Sequence, residues 1–124
     1  MKKRDILLVD DDTCCLHFLG SILRRERFNV SVASNGIKAL ELLENESADL
    51  LITDFNMPDM NGLELASCVR EQYPEMTVFM ITARVLSDVV EEAVNAGISN
   101  VFSKPLDIND FVTAIRSALY PHAR

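Results

Sequence analysis

Residues 6–13 read I-L-L-V-D-D-D-T: four apolar residues run directly into three aspartates and a threonine. Four apolar residues in a row, bounded by polar ones, suit a strand buried on both faces of a sheet. Adjacent carboxylates repel, so three of them gain nothing for a fold by themselves. The last of them is easiest to place. Asp12, with Thr13, reads as the cap of a following helix, because Asp and Thr side chains accept the free N–H groups of a first turn. A strand that ends in acids and turns into a helix is the unit from which the fold can be read.

That unit recurs. Apolar runs fall at residues 30–33, 50–53, 78–81 and 101–102, all short and rich in Val, Ile, Leu and Phe. Helical spacing fills the gaps. Leu16, Leu19, Ile22 and Leu23 mark one face, Ile37, Leu40 and Leu43 a second, and Leu63, Ala66, Val69 and Tyr73 a third. Val89, Val90, Ala93 and Val94 mark a fourth, which Gly97 closes as a C-terminal cap. The last is Ile108, Phe111, Val112, Ile115, Ala118 and Leu119, opened by Asp107 as N-cap with Asp110 in its first turn. Strand and helix alternate five times with short connections, which predicts an α/β domain: a doubly wound parallel sheet of five strands with five helices on its two faces. The commoner strand order for such a flavodoxin-like sheet is 2-1-3-4-5.

The 124 residues suit one domain, expected to span 1–124 with a core of about 5–119. Only four apolar residues follow the basic start before the acids begin, so no signal peptide is expected, and no run approaches the roughly 20 residues of a membrane span. Cys14, Cys15 and Cys68 have neither disulfide nor zinc spacing and read as reduced thiols in a cytoplasmic protein. A net charge of −7 disfavours direct binding to nucleic acid and suits cations and basic partner surfaces.

In open parallel sheets ligands bind beyond the carboxyl ends of the strands. The residues there are Asp10, Asp11 and Asp12 after the first run, Asp54 after the third, Thr82 and Ala83 after the fourth, and Ser103, Lys104 and Pro105 after the fifth. With strands 1 and 3 adjacent, Asp10 or Asp11 converges with Asp54, and Thr82 and Lys104 face them. Three acids and one lysine sum to −2, the charge that one divalent cation neutralises. Magnesium suits the set, being a hard ion that takes oxygen ligands and shares its shell with phosphate. Zinc would call for His or Cys, and His17 reads as a helix residue and His122 as a tail residue. A metal beside a carboxylate, a hydroxyl and an ammonium suits phosphoryl transfer, with Asp54 as nucleophile and an aspartyl phosphate as product.

In this order, V-D-D-D at 9–12, T-D-F-N-M-P-D-M-N-G at 53–62, I-T-A at 81–83 and S-K-P-L at 103–106 resemble the receiver domain of two-component response regulators, of the single-domain chemotaxis type. The resemblance covers residues 5 to about 119. It implies phosphorylation of Asp54 by a sensor histidine kinase or a phosphotransfer protein. It implies magnesium held by Asp11, Asp54 and the backbone carbonyl of Asn56, with Asp10 acting directly or through water. Thr82, Ala83 and Lys104 are the implied phosphoryl-binding and switch residues, with a cis peptide between Lys104 and Pro105. The domain is then a signalling phosphoacceptor rather than an enzyme, assisting only its own phosphorylation and dephosphorylation. Its output would leave by the face of the fourth helix, fifth strand and fifth helix, toward a protein target, a fused effector domain or a second copy of the chain.

The sequence departs from the family at one switch position. Three residues before the lysine, where receivers carry an aromatic ring that swings inward, stands Val101; Phe102 follows, and strand alternation points it to the other face. Three other readings remain open on the residues alone. A haloacid dehalogenase-type phosphatase also pairs an aspartate with magnesium, but its D-x-D-x-T would place threonine where Cys14 stands. A nucleotide-binding flavodoxin-like domain lacks its Gly-rich loop after strand 1. A silent pseudo-receiver scaffold would usually have lost Asp54 or Lys104.

Overall fold

The computed structural model describes residues 3–84 and 86–121; His122 lies outside them. Five strands, β1 (Asp5–Val9), β2 (Asn29–Ala33), β3 (Leu50–Asp54), β4 (Thr77–Thr82) and β5 (Asn100–Ser103), alternate with α1 (Thr13–Arg25), α2 (Gly36–Asn45), α3 (Gly62–Gln72), α4 (Leu86–Asn95) and α5 (Ile108–Leu119). The strands form one parallel sheet in the order β2-β1-β3-β4-β5, as expected.

Side-chain alternation along each strand builds two cores, one on each face. Ile6, Leu8, Ile52, Phe79 and Ile81 pack against Leu19 and Leu23 of α1 and Phe111 and Ile115 of α5. Leu7, Val9, Leu51, Val78 and Met80 pack on the opposite face with Leu43, Leu65, Val69 and Val89 of α2, α3 and α4. Leu50, Leu51 and Ile52 have no exposed surface, and full burial of each such side chain stabilises the fold by about 1.5–3 kcal/mol.

The expectation of burial on both faces holds for β1, β3 and β4 and fails for β2 and β5. Those two are the edges of the sheet; Val32 is 41% exposed, and Asn29, Asn100 and Ser103 are exposed as well. A short apolar run carries no mark of whether a second neighbour covers it. Some helical faces are also narrower than their spacing suggested. Ile37 on α2 and Val90 and Val94 on α4 are exposed, while Ala39, Leu43, Val89 and Ala93 are the residues buried there.

The helix ends follow from their caps. Asp12 Oδ1 accepts from the N–H groups of Cys14 and Cys15, and Asp107 Oδ1 accepts from Asp110. Asn61 and Glu64 form a reciprocal capping box at α3, a pairing spelled N-x-x-E in the sequence. Gly97, at φ +87°, ends α4: its N–H reaches the carbonyl of Val94 and that of Ile98 reaches Ala93. The left-handed conformation is what calls for glycine there.

Candidate functional site

Pairing of β1 with β3 and of β3 with β4 sets the carboxyl ends of three central strands side by side. Asp54 and Thr82 are the last residues of β3 and β4 rather than the first beyond them, because the ladder runs one step further than the apolar runs. Asp54 is 6% exposed, Thr82 is fully buried, and Asp10, just past β1, is 4% exposed. Carboxylate oxygens of Asp10, Asp11 and Asp54 all lie within 4.8 Å of one another, Asp11 being the exposed member. Lys104 Nζ reaches Asp54 Oδ1 at 2.9 Å from the loop after β5, and the Lys104–Pro105 peptide is cis. Asp12 is turned away into the α1 cap, so the three aspartates divide as the sequence suggested, two to the cluster and one to the helix.

Burial pushes the Asp10 carboxyl above its ordinary value. Hydrogen bonds from the Asp12 N–H and the Cys15 thiol oppose that shift, and the charge of Asp54 adds to it. Burial alone would lower the Lys104 ammonium. Its hydrogen bond to Asp54, with the charges of Asp54 and Asp10, outweighs that and leaves its pKa raised. The Cys15 thiol is pushed up to about 12 by burial, then by its bond to Asp10 and that group's charge, so it stays protonated. Cys15 as a hydrogen-bond donor to the cluster was invisible in the sequence, since it depends on the angle at which α1 leaves the sheet.

The donor set fits a hard divalent cation: three carboxylates, with no His or Cys among them. Like charges this close are costly without a cation. Asn56 follows in the exposed loop after β3, and Ala83 is exposed just beyond Thr82. Val101 and Phe102 point to opposite faces, as expected from alternation. Val101 packs in the layer of α2, α3 and α4, whereas the Phe102 ring lies tilted against Phe79 and edge-on to Phe111 at centroid distances of 5.4 and 5.2 Å. No aromatic ring therefore occupies position 101.

The loop over the cluster is tight. A Cβ on Gly62 would stand 2.5 Å from the Asp54 carbonyl oxygen, and the Gly62 N–H bonds the Phe55 carbonyl at 2.9 Å. Only glycine lets α3 start this close to the strand end. On the other side the Arg84 N–H donates to Thr82 Oγ1 at 3.0 Å, and the Arg84 guanidinium sits 4.9 Å from the Phe55 ring centroid. The Arg84–Phe55 contact was also beyond the sequence reading.

Comparison with known proteins agrees with this geometry. The sequence model of a family described as the response regulator receiver domain matches residues 6–116. The chain is 32% identical over 119 residues to the DNA-binding transcriptional regulator NtrC of Proteus hauseri, covering 96% of this chain and 25% of that protein. It is 33% identical over 114 residues to a cyclic di-GMP phosphodiesterase of Thermotoga maritima, covering 92% of this chain and 30% of that one. The chain thus spans under a third of the length of these curated relatives. Its fold matches the crystal structure of a CheY-like response regulator receiver domain protein from Methanospirillum hungatei with a TM-score of 0.90 and 31% identity, covering 95% of this chain and 94% of that one.

Proposed function

From a chain that belongs to the response regulator receiver domain family of two-component signalling, we propose a phosphoacceptor whose acceptor is Asp54, with residues 5–119 as the domain core. The observation that carries this is the cluster of Asp10, Asp11 and Asp54 oxygens within 4.8 Å, with Lys104 at 2.9 Å on Asp54. Asp54 Oδ attacks the phosphorus of the donor, and as the new O–P bond forms the P–N bond of a phosphohistidine (or the P–O bond of acetyl phosphate) breaks, its electron pair leaving with the imidazole (or acetate). Lys104 and the Thr82 hydroxyl, joined by the Ala83 backbone, take up charge on the phosphoryl oxygens as they close on Asp54. Asp11, Asp54 and the Asn56 carbonyl, with Asp10 directly or through water, would hold magnesium. When bound, it supplies charge neutralisation between the carboxylates and the incoming phosphate. The roles of these residues assist only the domain's own phosphorylation and dephosphorylation.

The phosphoryl donor on this reading is a histidine kinase or a histidine phosphotransfer protein in the cytoplasm. The relatives named above pair a similar segment with a much longer chain of differing output, one DNA-binding and one a phosphodiesterase. The receiver is therefore proposed to act on an effector or target protein, or on a second copy, through the face of α4, β5 and α5, and not on nucleic acid itself. Among the described residues no helix is long and apolar enough to cross a membrane.

Incubation with magnesium and acetyl phosphate, followed by intact-mass measurement, tests the acceptor. The expected result is one added phosphoryl group on the wild-type protein and none on Asp54→Asn. Labelling that survives Asp54→Asn would move the site.

A further inference from the structure

Arg84 lies beside the site and takes no part in the phosphoacceptor chemistry of Asp54, Thr82 and Lys104. It is exposed, and among the described residues no carboxylate pairs with it. Its backbone N–H is tied to the Thr82 hydroxyl, and its guanidinium rests on the ring of Phe55, the residue next to Asp54. The arginine is thus anchored to the site at both ends. A ring face is a weak hold for a full positive charge when a fixed anion stands nearby.

Charge balance supplies that anion. On the phosphoacceptor reading, on which this inference rests, three carboxylates are neutralised by one divalent cation and Lys104. Phosphorylation replaces one carboxylate charge with a group carrying close to two. The site then falls short by about one positive charge, and the three phosphoryl oxygens carry more lone pairs than Lys104, Thr82, the Ala83 backbone and one cation take up. Guanidinium is planar, always charged and suited to bidentate pairing with phosphate.

We propose that Arg84 is a phosphoryl-binding residue, whose guanidinium leaves the Phe55 ring and pairs with the phosphoryl oxygens when Asp54 is phosphorylated. The exchange uncovers Phe55, which packs in the same layer as Val101 and Val89 of α4. The chain lacks a ring at position 101, and the exchange gives it a phosphorylation-dependent aromatic surface two strands away, across β4.

Beryllofluoride with magnesium is a stable stand-in for the phosphoryl group, and its binding can be followed by fluorine NMR in the wild type, Arg84→Ala, Arg84→Lys and Phe55→Leu. Arg84→Ala is expected to weaken beryllofluoride binding about tenfold, as for loss of a charge-assisted hydrogen bond. Its affinity for magnesium alone should stay within about twofold, since the proposed residue meets the anion and not the cation. Arg84→Lys should recover part of the loss. Phe55→Leu removes the ring that competes for the guanidinium and should tighten binding about two- to fivefold. Equal beryllofluoride affinity in Arg84→Ala and wild type would overturn the proposal, as would an equal loss of magnesium affinity. No change in Phe55→Leu would overturn the exchange with the ring. A wild-type protein that binds no beryllofluoride in magnesium overturns the phosphoacceptor reading itself.

Discussion

The two ends of the sheet carry similar groups in opposite circumstances. At the amino end, Arg4 lies 5.5 Å over the Tyr120 ring, Tyr120 stacks on Phe28 at 6.3 Å, and Arg116 lies 5.4 Å over Phe28. Arg116 also bonds Glu26 at 2.6 Å, so a buried and a half-buried ring stack between two exposed cations, with an acid at the end. At the carboxyl end, Asp10 and Asp54 are buried, and among the described residues Lys104 is the one countercharge paired there. The amino end ties the α1–β2 turn to the end of α5. The carboxyl end spends stability to hold like charges together, which is the arrangement expected where a ligand completes the site.

Removing the carboxyl-end charge that faces solvent should have the largest effect. Asp11→Ala is expected to abolish magnesium-dependent phosphorylation and the rise in Tm that magnesium gives the wild type. Asp12→Ala, one residue on, should keep both and cost about 1 kcal/mol as a lost cap. Intact-mass labelling and thermal melts with and without magnesium check the pair. If the two variants behave alike, the cluster does not divide between metal and helix.

Backbone crowding should come next. Gly62→Ala places a methyl 2.5 Å from the Asp54 carbonyl oxygen and 3.1 Å from Phe55 Cα, both backbone atoms that cannot rotate away. The loop must shift, at a cost of about 2 kcal/mol in urea unfolding. The shift also moves Asp54, so acetyl phosphate labelling should slow beyond what the lost stability explains. A variant of full stability and rate would mean that the carboxyl end is not built to a fixed spacing.

Much of this contrast was legible in the chain, and the limits of legibility are physical. The residues that end the apolar runs, Asp10, Asp54, Thr82 and Lys104, could be placed together once the order of parallel strands was taken as 2-1-3-4-5, because the hydrogen-bonded ladder leaves little freedom in which strand ends meet. Asp12 and Asp107 were readable as caps because capping is local. Val32, Ile37, Val90 and Val94 were not readable as exposed, since exposure depends on which neighbour is missing and not on the residue itself. Cys15 on Asp10, Arg84 on Phe55 and Tyr120 on Phe28 join segments through loop and helix angles that no periodicity encodes.

A smaller change of opposite sign would sharpen the comparison. Asp10 has a raised pKa in the fold, so its ionised form is less favourable there than in the unfolded chain. Its contribution to stability is complete below the ordinary value of 3.8 and is lost as pH climbs through the raised folded value. In chelator, Asp10→Asn should therefore be the more stable protein near neutral pH, by about 1 kcal/mol, with the difference appearing across that acid window and flat above it. Added magnesium should reverse the ranking, because the metal binds more tightly to, and so stabilises more, the protein that keeps the third carboxylate. Urea unfolding across pH, with and without magnesium, reads both.

The smallest effect belongs to the amino end. Arg116 and Glu26 have side chains 47% and 37% exposed, and exposed ion pairs contribute about 0–1 kcal/mol because water screens them and two long side chains must be held in one geometry. The guanidinium also donates to the Glu26 carbonyl and covers Phe28, so packing is lost along with charge. Arg116→Ala should cost about 1 kcal/mol or less, and high salt should shrink that cost only in part, since the ring contact is not a charge pair. Magnesium and beryllofluoride affinities should stay at wild-type values, because no described contact joins Arg116 to the far end of the sheet. A change in either affinity would mean that the end of α5 reports on the phosphoacceptor, and that the two ends are not separable as structure and site.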